Sequence, residues 1–132
     1  MKHKKLFISL LFIALAAIIF LNWPKEKIQL AENESVKEIM IVAPFAASET
    51  VITEASDIKK VLQPLRNATK TRRSINNDQP LTQNYYTIKL AKADDTSDIF
   101  YLYAEDDYYF LEIPYQGIYK LANEFENFNY EN

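Results

Sequence analysis

Glu112 sits in the aromatic run YYFLEI, Tyr108 to Ile113, directly before Pro114. A carboxylate in such surroundings can have a raised pKa and act as a general acid. That chemistry needs a partner carboxylate, and the sequence does not identify one. Pairing with Arg72 or Arg73, or accepting backbone hydrogen bonds near Gly117, is the simpler role. A second arrangement, Ser56-Asp57-Ile58-Lys59, matches S-x-x-K, and Ser74-Ile75-Asn76 echoes another motif of the serine penicillin-recognising enzymes. No K-T-G segment follows and the chain is too short for that fold, so Ser56 reads as a helix cap and Lys59 as a solvated lysine. A third comprises the acidic turns Asp94, Asp95, Asp98 and Glu105, Asp106, Asp107. The strand between them covers about six residues at roughly 3.3 Å each, which sets them roughly 20 Å apart, too far to share one metal. Both read as solvated turns.

What is absent narrows the chemistry further. The sole histidine is His3, there is no cysteine, and Gly117 is the one glycine in 132 residues. Beyond the N-terminus this removes His-based triads, cysteine nucleophiles, disulfides, the usual zinc and copper ligand sets, and glycine-rich phosphate loops. The expectation is a protein that is not an enzyme and uses no metal or cofactor. More than half of the aromatic residues fall between Phe100 and Tyr130. Strand alternation sets Phe100 and Leu102 on one face, and Tyr101 and Tyr103 on the other. Tyrosines with an apolar body and polar tip suit binding surfaces. Tyr109, Glu112, Tyr115, Gly117 and Tyr119 are therefore the candidate binding residues, with packing of the half-wet face under a helix as the plainer alternative.

These residues need a scaffold, and the chain divides readily. Residues 1–5 form a basic head with Lys2, Lys4 and Lys5, followed by an uncharged run from Leu6 to Trp23. As a helix at about 1.5 Å per residue that run is roughly 27 Å long, close to the hydrocarbon thickness of a bilayer. Cleavage after Ala14-Leu15-Ala16 would leave a mature chain beginning Ala-Ile-Ile-Phe-Leu. The reading taken is an uncleaved single-pass signal anchor over 6–23, with cleavage and a buried soluble helix as alternatives. The basic head places the N-terminus inside and the rest of the chain outside. Setting the three head lysines aside leaves 12 of the 15 basic residues against 18 acidic ones, a net charge of −6. Such a domain is not expected to favour nucleic acid or an anionic membrane surface.

Residues 24–34 read as a polar stalk, and residues 35–132 as an extracytoplasmic domain. Val36 to Ala43 and Thr50 to Thr53 make a hairpin. Ile58, Val61, Leu62 and Leu65 define a helical face with Thr53 or Ser56 as cap, and Pro64 is expected to stop or kink that helix near Leu62 or Gln63. Lys70 to Pro80 reads as an edge strand and an exposed loop. Tyr85 to Ala91, Ile99 to Ala104 and Tyr108 to Ile113 form an antiparallel meander. Ile118, Leu121, Phe125 and Phe128 suggest a C-terminal helix, making Gly117 the joint between strand and helix. The expected class is two-layer α+β, an antiparallel sheet with one helix after the first hairpin and one at the C-terminus.

With TEASDIKKVLQPL, SINNDQP and above all YYFLEIPYQGIYKL in view, the chain resembles a family of small, membrane-anchored or secreted proteins of Gram-positive bacteria classed as a domain of unknown function. The resemblance covers roughly Ser35 to Leu121 and brings no activity. It supports a cell-surface location and the fold and leaves function open, while the signal anchor, the missing catalytic residue types and the Tyr-rich C-terminal half make a protein or cell-envelope component the expected partner. A small envelope-acting hydrolase using Glu112, or a membrane regulatory or immunity protein, are the alternatives.

Overall fold

A computed structural model describes residues 2–22, 25–45, 48–75 and 77–122, with side chains from Ile8 onward. Helix α1 (Lys2–Leu21) precedes a short 3-10 turn (Asn33–Ser35) and strands β1 (Val36–Val42) and β2 (Glu49–Ile52). Helix α2 (Ala55–Arg66) and the short strand β3 (Thr69–Lys70) follow, then β4 (Tyr86–Lys92), β5 (Ser97–Glu105), β6 (Tyr108–Ile113) and β7 (Gly117–Lys120). All seven strands join one antiparallel sheet in the order β2-β1-β4-β5-β6-β7-β3. The expected hairpin and meander are both present, and the class is α+β.

The core lies between α2 and one face of the sheet. Ile58, Val61, Leu62 and Leu65 of α2 form one buried cluster with Ile39, Ile41, Ile88, Leu90, Phe100, Leu102 and Leu111. Helix α2 differs from its sequence expectation at both ends. Glu54 is the N-cap, without a side-chain cap bond, and its carbonyl accepts from Asp57 and Ile58. The helix also runs through Pro64 to Arg66, because burial of Leu65 and the grip of the Arg66 guanidinium on the Leu30 and Ala31 carbonyls hold the last turn.

That grip also corrects the stalk. Residues 25–34 lie against the domain: Ile28 is buried and donates its N–H to Ala68 O at 3.1 Å, while Lys70 N–H reaches Glu26 O at 2.7 Å. Lys27 bridges to Thr69, so the free edge of β3 is covered by the incoming chain. A sequence rich in charge can still supply Ile28, Leu30 and Ala31 to a core.

The C-terminal helix expected to begin at Ile118 is a strand there. Gly117, Ile118 and Tyr119 are all buried, with β6 alongside and cover on both faces. A strand buried on both faces has no alternation, so its apolar spacing imitates a helix. Phe125 and Phe128, the rest of that expectation, lie outside the described residues.

Helix α1 stands apart from this core. Leu11, Phe12 and Ile13 are 64%, 68% and 64% exposed, so consecutive residues pointing to different sides of the helix are all uncovered. Among the described residues no helix is long and apolar enough to cross a membrane. The expected span from Leu6 to Trp23 has its ends, the Leu6 and Phe7 side chains and Trp23, outside the described residues, as are the side chains of the basic head.

Candidate functional site

The register of the last three hairpins decides which side chains meet. Tyr101 of β5 lies opposite Glu112 of β6, and Glu112 opposite Ile118 of β7. Tyr103, Phe110 and Lys120 form the next row across the same three strands. Side chains alternate along a strand, so these two rows share the face turned away from α2. Tyr101, Tyr103, Glu112 and Ile118 are nevertheless buried.

Their cover is formed by residues 71–75 and 77–85 between β3 and β4, fastened at several points. Thr71 sends both its N–H and its hydroxyl to Ile118 O at 2.8 Å. The Arg73 guanidinium bonds Glu105 Oε2 at 3.0 and 3.1 Å and lies 5.2 Å over the Phe110 ring. The Tyr115 hydroxyl donates to Asp78, and Tyr85 packs edge-on against Tyr101 at 5.2 Å. Beneath this cover is a pocket of about 230 Å³. Tyr103, Glu105, Glu112 and Ile118 line it from the sheet, and Arg73, Ile75, Gln79 and Leu81 from the cover.

Glu112 is 5% exposed and is the one charged residue buried among the described residues. The Tyr103 hydroxyl donates to its Oε2 at 3.5 Å. Burial pushes the Glu112 pKa up, against smaller lowering effects of the Tyr103 bond and the Arg73 charge. Burial likewise raises Tyr103, to about 12, and Tyr101. The pocket therefore offers a carboxyl group that is easily protonated and a phenol that stays protonated through neutral pH. Such a pair can accept or donate a hydrogen bond to a polar group entering beside apolar walls.

The five candidate residues separate in the structure. Glu112 floors the pocket. Tyr115 is 80% exposed at positive φ (+62°) in the turn from Pro114 to Gln116, and serves the site by holding Asp78 in the cover. Gly117 closes that hairpin opposite Ile113 at φ +149°, where L side chains are strained. Its role as a joint holds, between two strands rather than strand and helix. Tyr119 is 4% exposed and faces α2 opposite Leu111, so it is a core residue and not a surface one. Tyr109 pairs with Ala104 at the far end of the α2 face, apart from the pocket.

Of the residues that line the pocket the candidate set contains Glu112 alone, and Arg73 and Tyr103, which act on that carboxyl group, are among those it lacks. Alternation separated Tyr103 from Phe100 and Leu102, but the strand register and the path of residues 71–85 were needed to set it beside Glu112. Arg72, the other suggested partner of Glu112, stacks on Phe20 at 4.2 Å. Ser56 and Lys59 are both exposed on α2; Lys59 is solvated as its plain reading requires, whereas Ser56 lies inside the helix and is not its cap, which is Glu54. The acidic turns lie at opposite ends of β5 and are used by Lys37–Asp95, Lys92–Asp98 and Arg73–Glu105 pairs. Hydrogen bonds from Thr96 hold the Asp94 pKa low. Among the described residues no three His, Cys, Asp or Glu side chains are grouped to hold a metal.

By its sequence the chain belongs to the DUF5301 family, described as a domain of unknown function (DUF5300), which matches residues 24–120. That match begins with the segment docked along β3 and ends with β7. No curated protein matches the chain. The fold is similar to that in the NMR structure of the protein from Ruminococcus gnavus, at 26% sequence identity and a TM-score of 0.65 over 76% of this chain and 97% of that one.

Proposed function

We propose that the protein is a membrane-tethered extracytoplasmic binding domain, without catalytic activity, that takes a polar group of a protein or cell-envelope component into the pocket beneath residues 71–85. The observation that carries this reading is Glu112, a buried carboxyl group on the floor of an open pocket. An ionisable group is costly to bury without full pairing. One long bond from Tyr103 leaves acceptor capacity that a ligand can use. The tether is supported by the uncovered apolar side chains around α1, which water solvates poorly, and its orientation by the basic head.

A photo-crosslinking residue at Leu81, which is 90% exposed and lines the pocket, tests the site on intact cells. A crosslinked product is expected, and Glu112→Gln should lower its yield about tenfold while melting as a folded protein, the loss of one charge-assisted hydrogen bond. Equal yields from the two proteins would reject the pocket as the binding site.

The hydrolase reading has one observation in its favour: Glu105 lines the same pocket, so a second carboxylate is near the raised one. Arg73 occupies Glu105 with two bonds, which suits a structural ion pair better than a nucleophile or base. Turnover of an envelope polymer that disappears in Glu105→Gln and Glu112→Gln alike would favour catalysis over binding.

A further inference from the structure

The last turn of α1 and the β3 edge enclose a second, larger cleft of about 890 Å³. Its lining combines Phe20 and Leu21 with four cations, Lys25, Lys70, Arg72 and Lys120, against the single anion Glu26. Lys70 bonds Glu26 at 3.3 Å, so three positive charges are in excess. Phe20 and Leu21 are 57% and 79% exposed, and Arg72 lies over the Phe20 ring at 4.2 Å. Apolar side chains therefore give way to basic ones within a few residues, where a helix leaving a bilayer would enter the headgroup layer.

The geometry points to a membrane-facing surface: Lys25, Lys70, Arg72 and Lys120 engage the phosphates of anionic lipids in the same membrane that holds α1. This inference rests on the tether proposed above. The domain's net negative charge argues against adsorption as a whole, but exposed charges more than about 10 Å apart are largely screened at ordinary ionic strength. The local excess at the β3 edge then decides. Residues 25–34 strengthen the case, because their bonds to Ala68 and Lys70 fix this edge beside the point where the chain leaves α1. The occupant is a lipid and not a soluble anion because Phe20 and Leu21 share the cleft.

Amine footprinting of the full chain reconstituted into vesicles tests this. A water-soluble acylating reagent should label Lys25 and Lys120 at least about fivefold more slowly in vesicles containing phosphatidylglycerol than in phosphatidylcholine alone, given the usual attraction per basic residue near an anionic surface. The exposed Lys59 and Lys89 provide the internal reference and should label equally in both. Raised salt or Arg72→Glu should remove most of the protection. Equal labelling in the two vesicle types, with the chain floating on both, would overturn the lipid contact and leave the tether standing. A chain that floats with neither would overturn both. Protection by inorganic phosphate on neutral vesicles would assign the cleft to a soluble anion and overturn the lipid contact as well.

Discussion

On one face of the sheet, α2 lays Ile58, Val61, Leu62 and Leu65 against aliphatic side chains and Phe100. On the other face, residues 71–75 and 77–85 lie over Tyr101, Tyr103, Phe110 and Glu112, and the cover is fastened by hydrogen bonds, an ion pair and aromatic contacts. The first cover is a regular helix whose buried face is aliphatic. The second is irregular and leaves a pocket around a carboxyl group. Non-directional burial stabilises the fold on the helix side. On the cover side directional contacts hold the segment in place, and apolar burial is incomplete where Glu112 stands.

The sharpest test of that division is Leu111→Ala. Leu111 is 0% exposed on the helix face, one residue before Glu112 on the other. Removing its branch should cost about 2–5 kcal/mol in a denaturant titration, from lost transfer energy and the cavity left behind. Tyr119→Ala should behave as a core truncation too, since its ring faces α2, so it is unsuited to testing binding. A small loss at Leu111 with a large one at pocket residues would reverse the assignment of stability to the two faces.

Gly117→Ala comes next, because it acts on the hairpin that joins the faces. A methyl group there would lie 3.1 Å from Lys70 Cε, which is the flexible end of a side chain and can move. The backbone at φ +149° cannot relax so easily, and the expected cost is about 1–3 kcal/mol. Thermal denaturation should show it, and Lys70→Ala should not rescue it. Rescue by Lys70→Ala would make the limit steric contact instead of backbone conformation.

How far these features were legible in the sequence follows from the same two faces. The helix face was readable because α2 keeps a 3.6-residue period and β4 to β6 are separated by polar turns. Pro64 misled because its local cost is set against the burial of Leu65, a tertiary effect. The docked segment 25–34 misled because few apolar residues among many charges resemble a linker. Glu112 and the Gly117 joint were visible as unusual residues in an aromatic run. The pocket was not visible, since it depends on register and on residues 71–85, whose turn-forming composition says that they loop and not where they lie. Tyr119 was misplaced for a related reason: β7 is covered on both faces, so its pattern does not show which side each residue takes.

Glu112→Gln should change stability in a pH-dependent way. Well below the ordinary value of 4.5 the carboxyl is protonated in both folded and unfolded chains, and it makes no difference to the balance. Above 4.5 the unfolded chain releases its proton while the folded chain still resists. Wild-type stability therefore falls as pH rises through the raised folded pKa, and the deficit remains at neutral pH. The glutamine variant lacks this loss, so its advantage should grow from near zero in acid to its full size at neutral pH. Urea titrations at several pH values check this, and an advantage that shrinks with rising pH would mean that the carboxylate is stabilised in the fold.

Arg73→Ala should have the smallest effect on global stability, because the Arg73 and Glu105 side chains are 45% and 46% exposed and such pairs contribute about 0–1 kcal/mol. Its local effects should be clearer. Loss of the guanidinium frees Glu105 and uncovers Phe110, so proteolysis within residues 71–85 should quicken while α2 stays protected. The same loss removes a charge that lowers the Glu112 pKa, and the midpoint of the pH effect at Glu112 should move upward. Both changes occur on the cover face and leave the helix face intact. If proteolysis instead begins in α2, the two faces share one stability, and the pocket is held by the core rather than by its own fastenings.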